Sequence, residues 1–266
     1  MLAALPIDPL YGLAIMGAAF AGLALAELAA PFRSAKQRKS ARWITNVTLF
    51  AIDTLAVRLL LPLAMVGAAV LAQERGWGLL NVVVLPGWVG FVATLLVLDL
   101  ALYLQHWATH RVPLLWRLHR VHHSDRDFDV STGARFHPVE IVLSMVWKVA
   151  VVIALGAPAL AVAVFEIGFA VATLITHTNL ALPHRTDRLV RKLLVTPTMH
   201  RIHHSARERE TNSNYGTVLS GWDRLFGTYV TEAEKPQKDM IIGLDEWTDE
   251  RTTRLGFSLW LPFERK

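Results

Sequence analysis

The chain has 266 residues, of which 53% are hydrophobic and only 18% are charged. Soluble domains usually carry about a quarter charged residues, so this composition excludes an ordinary water-soluble globular protein. The chain has no cysteine, which excludes disulfides and thiolate metal ligands. Its net charge of +5 indicates membrane topology and attraction to anionic lipid, and no nucleic-acid partner is expected.

Long apolar runs predict helices that cross a membrane, since twenty helical residues span a hydrocarbon core of roughly 30 Å. The runs lie at 11–30, with Glu27 as its one charge, at 43–71, with Asp53, Arg58 and Pro62, at 80–98, and at 141–176. Charges in lipid are costly, so those of the second run are expected to face protein or the membrane interface. The predicted fold class is all-α, a polytopic helical membrane protein with about four spans and a cytoplasmic, histidine-rich helical cap.

The basic loop at 33–42, RSAKQRKSAR, sets the predicted orientation, because basic loops stay in the cytoplasm. The last apolar run is too long for one crossing. Its GAP sequence at 156–158 predicts a hairpin that leaves the cytoplasmic side and returns by residue 177. This orientation places 106–140 and 185–266 in the cytoplasm.

The sequence HRVHHS at 119–124 returns as HRIHHS at 200–205. Within each copy the histidines follow i, i+3, i+4 spacing, so they share one face of a helix. Pro113 and Pro197 are predicted to start the two short helices, with Thr196 as the N-cap of the second.

Three further histidines are expected at the same membrane level. His106 and His110 close the third span four residues apart and share a face, and His177 lies where the hairpin returns. Eight or more converging imidazoles exceed the four ligands of a zinc site, so we expect two metal ions. Imidazole suits iron, copper, zinc and nickel, and the spacing does not choose among them. The chain has no HExxH motif, which counts against a zincin-type protease.

The order HxxxH, HxxHH, a later histidine and a second HxxHH resembles the fatty acid hydroxylase and sterol desaturase superfamily, in its bacterial form. DLALYLQHWATH at 99–110 is similar to the family's Asp-x-x-x-Tyr-x-x-His opening. STGARFHPVE at 131–140 resembles its His-Pro-x-Glu segment, and 213–229 resembles its tail. On this resemblance we divide the chain into N-terminal transmembrane helices (1–95), a catalytic domain (96–230) and a C-terminal cytoplasmic tail (231–266).

The resemblance implies a non-haem di-iron centre that uses O₂ and electrons to hydroxylate or desaturate a lipid, of sterol or fatty acyl type, at a bacterial inner membrane. Nine histidines match the family's ligand positions: His106, His110, His119, His122, His123, His177, His200, His203 and His204. Several members carry another histidine where this chain has Leu180 and Ala181. Water, His137 or His184 could take that tenth position, although a lone interfacial histidine such as His184 is more often a hydrogen-bonding group.

Ligating histidines need hydrogen-bond partners on their other ring nitrogen. Asp99 lies seven residues before His106 on the same helix face and is the leading candidate for this role. Pairing of Asp99 with Arg58 inside the bundle is the alternative. Glu140 and Asn214 are further candidates, and Asn214 could also bond a metal-bound water.

Breaking an unactivated C–H bond needs a redox-active metal, which zinc is not. Because the reaction that the family resemblance implies consumes electrons, it also implies an external electron donor, a ferredoxin or a cytochrome b5-like carrier with its reductase. A basic cytoplasmic surface would suit an acidic carrier. Two alternatives remain open: a zinc-dependent membrane hydrolase that uses the same histidines, and a non-enzymatic metal-transporting or haem-binding membrane protein.

Overall fold

The computed structural model describes residues 9–61 and 63–264. Pro62 of the second apolar run, the start of the predicted N-terminal region (1–8) and the end of the predicted tail (265–266) lie outside the described residues. The α-helices of the described part are α1 (Pro9–Ala29), α2 (Lys39–Leu60), α3 (Ala64–Arg75), α4 (Leu79–Val82), α5 (Gly87–Arg111), α6 (Pro113–His123), α7 (Pro138–Leu155), α8 (Ala159–Thr176), α9 (His184–Val190), α10 (Pro197–His203), α11 (Glu208–Thr211), α12 (Gly221–Leu225) and α13 (Leu255–Trp260). Short 3₁₀ turns occupy Val130–Ala134, Glu250–Thr253 and Leu261–Phe263.

Five helical stretches of the described residues are long and apolar enough to cross a membrane. They are Leu10–Ala29, Lys39–Val82, Gly87–Arg111, Pro138–Leu155 and Ala159–Thr176. The predicted all-helical membrane fold is confirmed, and the last apolar run divides into α7 and α8. Gly156 ends α7 in the left-handed conformation, with φ of 67°, and Pro158 precedes α8, so this turn is the predicted hairpin.

The second apolar run differs from the single span predicted at 43–71. Helix α2 ends at Leu60 and α3 begins at Ala64. Helices usually end at or before the residue that precedes a proline, and Pro62 stands at this break in the sequence. After the break α3 packs against α7 and α8.

The apolar core lies where α3, α5, α7 and α8 meet, around Met65, Leu98, Val152 and Val162. All four side chains are at most 1% exposed. Large apolar side chains on the outer helix faces, such as Leu59 at 71%, remain exposed. Exposed apolar side chains of this kind suit a lipid environment.

Residues 231–264, predicted as a tail, fold back against the helices. Trp247 and Leu261 are buried in one cluster with Leu49 of α2 and Val121 of α6. Arg117 Nε of α6 also donates to the carbonyl of Pro262 at 2.7 Å. The segment therefore supports the histidine-bearing end of the bundle. The domain boundaries stay predictions, and the one at 95/96 falls inside α5.

We predict that Gly78→Ala destabilises the fold far more than Gly76→Ala. Both glycines have positive φ, at 92° and 66°, so both substitutions carry a backbone cost of about 1–3 kcal/mol. A Cβ on Gly78 would also lie 2.1 Å from the backbone nitrogen of Gly156, whereas a Cβ on Gly76 meets nothing within 4 Å. Thermal unfolding in detergent tests this, and equal shifts in Tm would contradict the close approach.

Candidate metal centre

Four stretches of chain bring the nine predicted histidines together. His106 and His110 lie in the last turns of α5, and His119, His122 and His123 lie on α6. His177 directly follows α8, and α10 carries His200 and His203 with His204 at its end. Pro113 and Pro197 occupy the first turns of α6 and α10, and Thr196 Oγ1 accepts the N–H of Met199 at 3.3 Å, as predicted. The local sequence therefore starts each histidine-bearing helix at a defined residue.

The nine histidines form two groups, within each of which one nitrogen per ring lies within 4.8 Å of the others. The first group is His106, His110, His119, His123 and His203, and the second is His122, His177, His200 and His204. His123 and His204 stack with ring centroids 4.5 Å apart, so the two groups adjoin.

Backbone carbonyls fix the tautomer of four rings. The pairs are His106 with Tyr215, His122 with Arg135, His177 with Thr173 and His203 with Ser213, at Nδ1···O distances of 2.7–3.1 Å. A carbonyl oxygen only accepts, so each Nδ1 carries the proton and each Nε2 presents a lone pair. This is the tautomer in which Nε2 can bind a metal.

Bare lone pairs face one another in the second group. His177 Nε2 lies 3.2 Å from His122 Nε2 and 3.0 Å from His200 Nε2. His122 and His177 have both committed their protons to carbonyls, so neither Nε2 can donate to the other. Two nitrogens that bind one ion at right angles, with bonds of about 2.1 Å, lie about 3.0 Å apart. The spacing fits a shared cation.

The first group also contains buried ring nitrogens that are not hydrogen-bonded. The buried Nε2 atoms of His106, His119 and His203 have no hydrogen-bond partner among the described residues. Buried polar atoms are normally paired, so these three nitrogens indicate a ligand between the rings. The donor set of both groups fits a metal that accepts imidazole.

Protonation does not relieve the repulsion between these nitrogens. Burial lowers the pKa of His177 to about 4 and that of His203 to about 3. Burial, followed by repulsion from His177, also lowers the pKa of His122 well below its ordinary value. The rings are therefore neutral at physiological pH, the form that binds metal.

Glu140 lies where an orienting partner was predicted. Its Oε1 accepts a hydrogen bond from His119 Nδ1 at 2.6 Å, so the proton sits on Nδ1 and Nε2 faces the first group. A carboxylate in this position raises the basicity of a ligating imidazole.

Among the described residues, Asp99 forms no hydrogen bond or ion pair with His106 or Arg58, the two partners considered from the sequence. Its Oδ2 accepts from the indole Nε1 of Trp222 at 2.8 Å and from the N–H of Leu219 at 3.3 Å. Asp99 therefore ties the 219–222 turn to α5. The sequence spacing placed it correctly on its helix but could not reveal which neighbour would approach that face.

Asn214 bonds backbone groups. Its Oδ1 accepts from the N–H of Val230 at 3.0 Å, and its Nδ2 donates to the carbonyl of Met199 at 3.2 Å. Its φ of 52° is left-handed, a conformation that asparagine tolerates. The carbonyls on either side of it, from Ser213 and Tyr215, orient His203 and His106. Asn214 thus fixes the conformation of the backbone segment that orients the His203 and His106 rings.

Neither candidate for the tenth position joins the histidine groups. His137 caps α7, where its Nδ1 accepts from the N–H of Val139 at 3.2 Å, and its Nε2 lies 3.3 Å from the carbonyl of Leu259. His184 begins α9 and its side chain is exposed.

Buried ion pairs that sequence reasoning missed support the site. Arg42, which we assigned to a basic loop, is 1% exposed and binds both oxygens of Asp125 at 2.6 and 2.8 Å. It also donates to Asp129 at 2.9 Å. Burial alone would raise the pKa of Asp125, but the Arg42 guanidinium lowers it to about 2. The sequence feature that could have indicated these ion pairs is the series of aspartates after the first HxxHH sequence, Asp125, Asp127 and Asp129.

Arg135 is a second buried support, with no exposed surface. Its guanidinium donates to the carbonyl of Val121 at 2.8 Å, to Asn46 Oδ1 at 2.9 Å and to the carbonyl of Thr252 at 2.8 Å. It thereby links α6, α2 and the C-terminal segment behind His122, whose Nδ1 it orients through its own carbonyl.

A largely apolar cavity of about 770 Å³ leads to the histidines. Leu13 and Phe20 of α1, Phe50 of α2 and Phe169 of α8 contribute to its walls. At its inner end lie histidines of both groups, His106, His119, His122, His177 and His200. The cavity therefore connects the membrane-spanning helices with the face of the candidate metal centre.

The chain matches a family profile described as fatty acid hydroxylase over residues 91–228. It is 35% identical over 176 residues to ornithine lipid hydroxylase OlsE of Rhizobium tropici, covering 66% of this chain and 50% of that protein. It is 32% identical over 137 residues to alkylglycerol monooxygenase of Homo sapiens, covering 52% of this chain and 30% of that protein.

The match to alkylglycerol monooxygenase of Danio rerio is 31% over 149 residues, covering 56% of this chain and 31% of that protein. The chain thus spans half or less of the length of these relatives. No solved structure matches the chain.

We predict that the purified protein binds two equivalents of Co²⁺, a spectroscopic probe that accepts imidazole ligands. His203→Ala should weaken one equivalent and His200→Ala the other, each by at least about tenfold, the lower end of what losing even an indirect ligand partner costs. His184→Ala is the matched control, because its exposed ring lies outside both groups. Visible spectroscopy during titration measures both equivalents. Binding by the wild type that is no stronger than that of the variants would contradict the assignment.

Proposed function

The chain belongs to the fatty acid hydroxylase family, and we propose that it is a membrane-bound non-haem di-iron oxygenase that oxidises a lipid with O₂ and external electrons. The nine histidines are the proposed iron ligands, five for one ion and four for the other. The observation that carries the proposal is the convergence of bare Nε2 lone pairs at the inner end of an apolar cavity.

Bound iron would supply the redox chemistry with O₂ that cleavage of an unactivated C–H bond requires. The chain's own residues hold the ligand rings in one tautomer, through the carbonyls of Thr173, Arg135, Ser213 and Tyr215 and the carboxylate of Glu140. The apolar walls exclude water and align the lipid chain, so that the reacting carbon reaches the histidine end.

We favour hydroxylation over desaturation, because the relatives are named a lipid hydroxylase and a monooxygenase. One oxygen atom would enter a C–H bond to give an alcohol, and the other would leave as water with two electrons and two protons. A ferredoxin or a cytochrome b5-like carrier with its reductase is the proposed electron source.

Lipidomics in a deletion strain tests the reaction. Wild-type protein should restore a lipid that is one oxygen heavier than its precursor, and His203→Ala should not, because it removes a proposed ligand. His184→Ala, whose side chain is exposed, should restore the product. Lipid fragments formed without consumption of O₂ would support the zinc hydrolase instead. A Soret band in the purified protein would support the haem-binding alternative.

We further propose that the histidine end faces the cytoplasm of a bacterial inner membrane. The 30–38 connection lies at this end, since the N–H of Phe32 donates to the carbonyl of Asn179 and Arg33 donates to that of Met240. Its basic residues are expected to stay inside. The end of α3 lies at the opposite end of the bundle, where Gly78 meets the end of α7.

Cysteine labelling tests this orientation, and the natural absence of cysteine makes single substitutions clean. Ser34 and Glu74 are both exposed and lie at opposite ends of the bundle. An impermeant maleimide should label Glu74→Cys in intact spheroplasts and Ser34→Cys only after lysis. The reverse pattern would overturn the proposed orientation.

A further inference from the structure

A polar belt lines the cavity close to its histidine end. Asp53 of α2, Gln105 of α5, and Glu140 and Ser144 of α7 all contribute to it. Ser144 donates its hydroxyl to Gln105 Oε1 at 3.2 Å. Gln105 directly precedes His106, and Ser144 lies one helical turn, about 5.4 Å, beyond Glu140. A purely apolar lipid segment would offer no hydrogen-bond partner to the polar atoms of this belt that remain unpaired.

Two oxygen atoms of the belt are buried without a partner. Asp53 is 4% exposed and Glu140 is 7% exposed, and Asp53 Oδ1 and Glu140 Oε2 have no hydrogen-bond partner among the described residues. Glu140 already has a role, because its other oxygen orients His119. Its second oxygen widens the acceptor surface beside Asp53.

Asp53 has no such structural role. Its Oδ1 has no hydrogen-bond partner and Asp53 forms no ion pair within residues 9–61 and 63–264, and the carboxyl group of Glu140 lines the same cavity. Burial of a carboxyl group without a compensating donor is strongly unfavourable. A group kept under these conditions, on the wall of a cavity, indicates that its partner arrives with the ligand.

We propose that Asp53 binds a hydrogen-bond donor of the lipid substrate, a hydroxyl or an ammonium group, near the carbon that is oxidised. Asp53 and Glu140 line the same cavity, and Glu140 accepts a hydrogen bond from His119, so the donor is held near the metal-facing rings. The reacting carbon is then adjacent to the polar part of the lipid, and the apolar walls hold its chain. This inference rests on the proposed lipid oxidation and specifies its substrate class.

Binding of three probes of equal chain length tests the role of Asp53 without turnover. Hexadecanol carries a hydroxyl donor, hexadecylamine carries an ammonium donor, and hexadecyl methyl ether carries an acceptor alone. Each radiolabelled probe is partitioned into nanodiscs that contain the full-length protein and into empty nanodiscs. The wild type should bind the alcohol and the amine at least about tenfold more tightly than the ether, as expected when a buried, otherwise unpaired oxygen gains a hydrogen-bond donor.

The variants separate the two kinds of donor and exclude a structural role. Asp53→Leu should abolish the preference over the ether, and Asp53→Asn should keep the preference for the alcohol and lose that for the amine. Both should unfold at or above the wild-type Tm, because they remove an unpaired buried carboxylate. Thr54→Val is the matched control, because Thr54 lines the same cavity but already donates its hydroxyl to the carbonyl of Phe50 at 2.8 Å.

Unchanged probe preference in Asp53→Leu would overturn the inference, and so would a lowered Tm in both Asp53 variants, which would make Asp53 a structural residue. Equal loss of preference in Thr54→Val would overturn it too. The assay needs neither O₂ nor electrons, so its outcome is independent of the lipidomic test. A protein that oxidises no lipid but loses donor preference in Asp53→Leu would disprove the oxygenase and retain the binding role.

Discussion

The mutual repulsion of neutral imidazole lone pairs in a dry site is the constraint on which the rest of the structure depends. His122 and His177 hold their Nε2 atoms 3.2 Å apart while both protons are committed to carbonyls. Burial lowers the pKa of His177 to about 4, so a proton does not neutralise the contact. A cation bound between the rings would satisfy these nitrogens, and this is why we propose a metal centre here.

The imidazole rings keep these close Nε2 contacts only if the surrounding segments are held rigidly in place. The ion pair of Arg42 with Asp125 fixes the segment that follows the first HxxHH sequence to α2. Arg135 links α6 to the C-terminal segment. The Arg42 guanidinium is paired with carboxylates, and the Arg135 guanidinium donates to backbone and side-chain oxygens, so neither buried charge is left unbonded. The scaffold thus concentrates its polar interactions at one end of the bundle, and the apolar core between α3, α5, α7 and α8 supports the other.

The cavity joins these two environments. Its apolar walls suit a lipid chain, but its histidine end carries Asp53 and Glu140, two acceptors with unsatisfied oxygens. Under the proposed function, this gradient from apolar to polar along one cavity would order a lipid by polarity, with its polar part at the histidine end. Selection of the reacting carbon would then follow from the position of the donor group, because the alkyl chain itself offers no polar group for recognition.

The sequence by itself determined the helical membrane fold, the hairpin at 156–158 and the nine histidines that converge, because these depend on local periodicity, on proline and glycine, and on spacing along single helices. Glu140 was also accessible, through its His-Pro-x-Glu motif. Tertiary structure alone decided which groups meet across helices. It paired Asp99 with Trp222, buried Arg42 against Asp125, brought His137 Nε2 to the carbonyl of Leu259 and left Asp53 Oδ1 without a partner among the described residues. Such pairings join residues that are tens to more than a hundred positions apart, and no local pattern encodes which faces will touch once the helices pack.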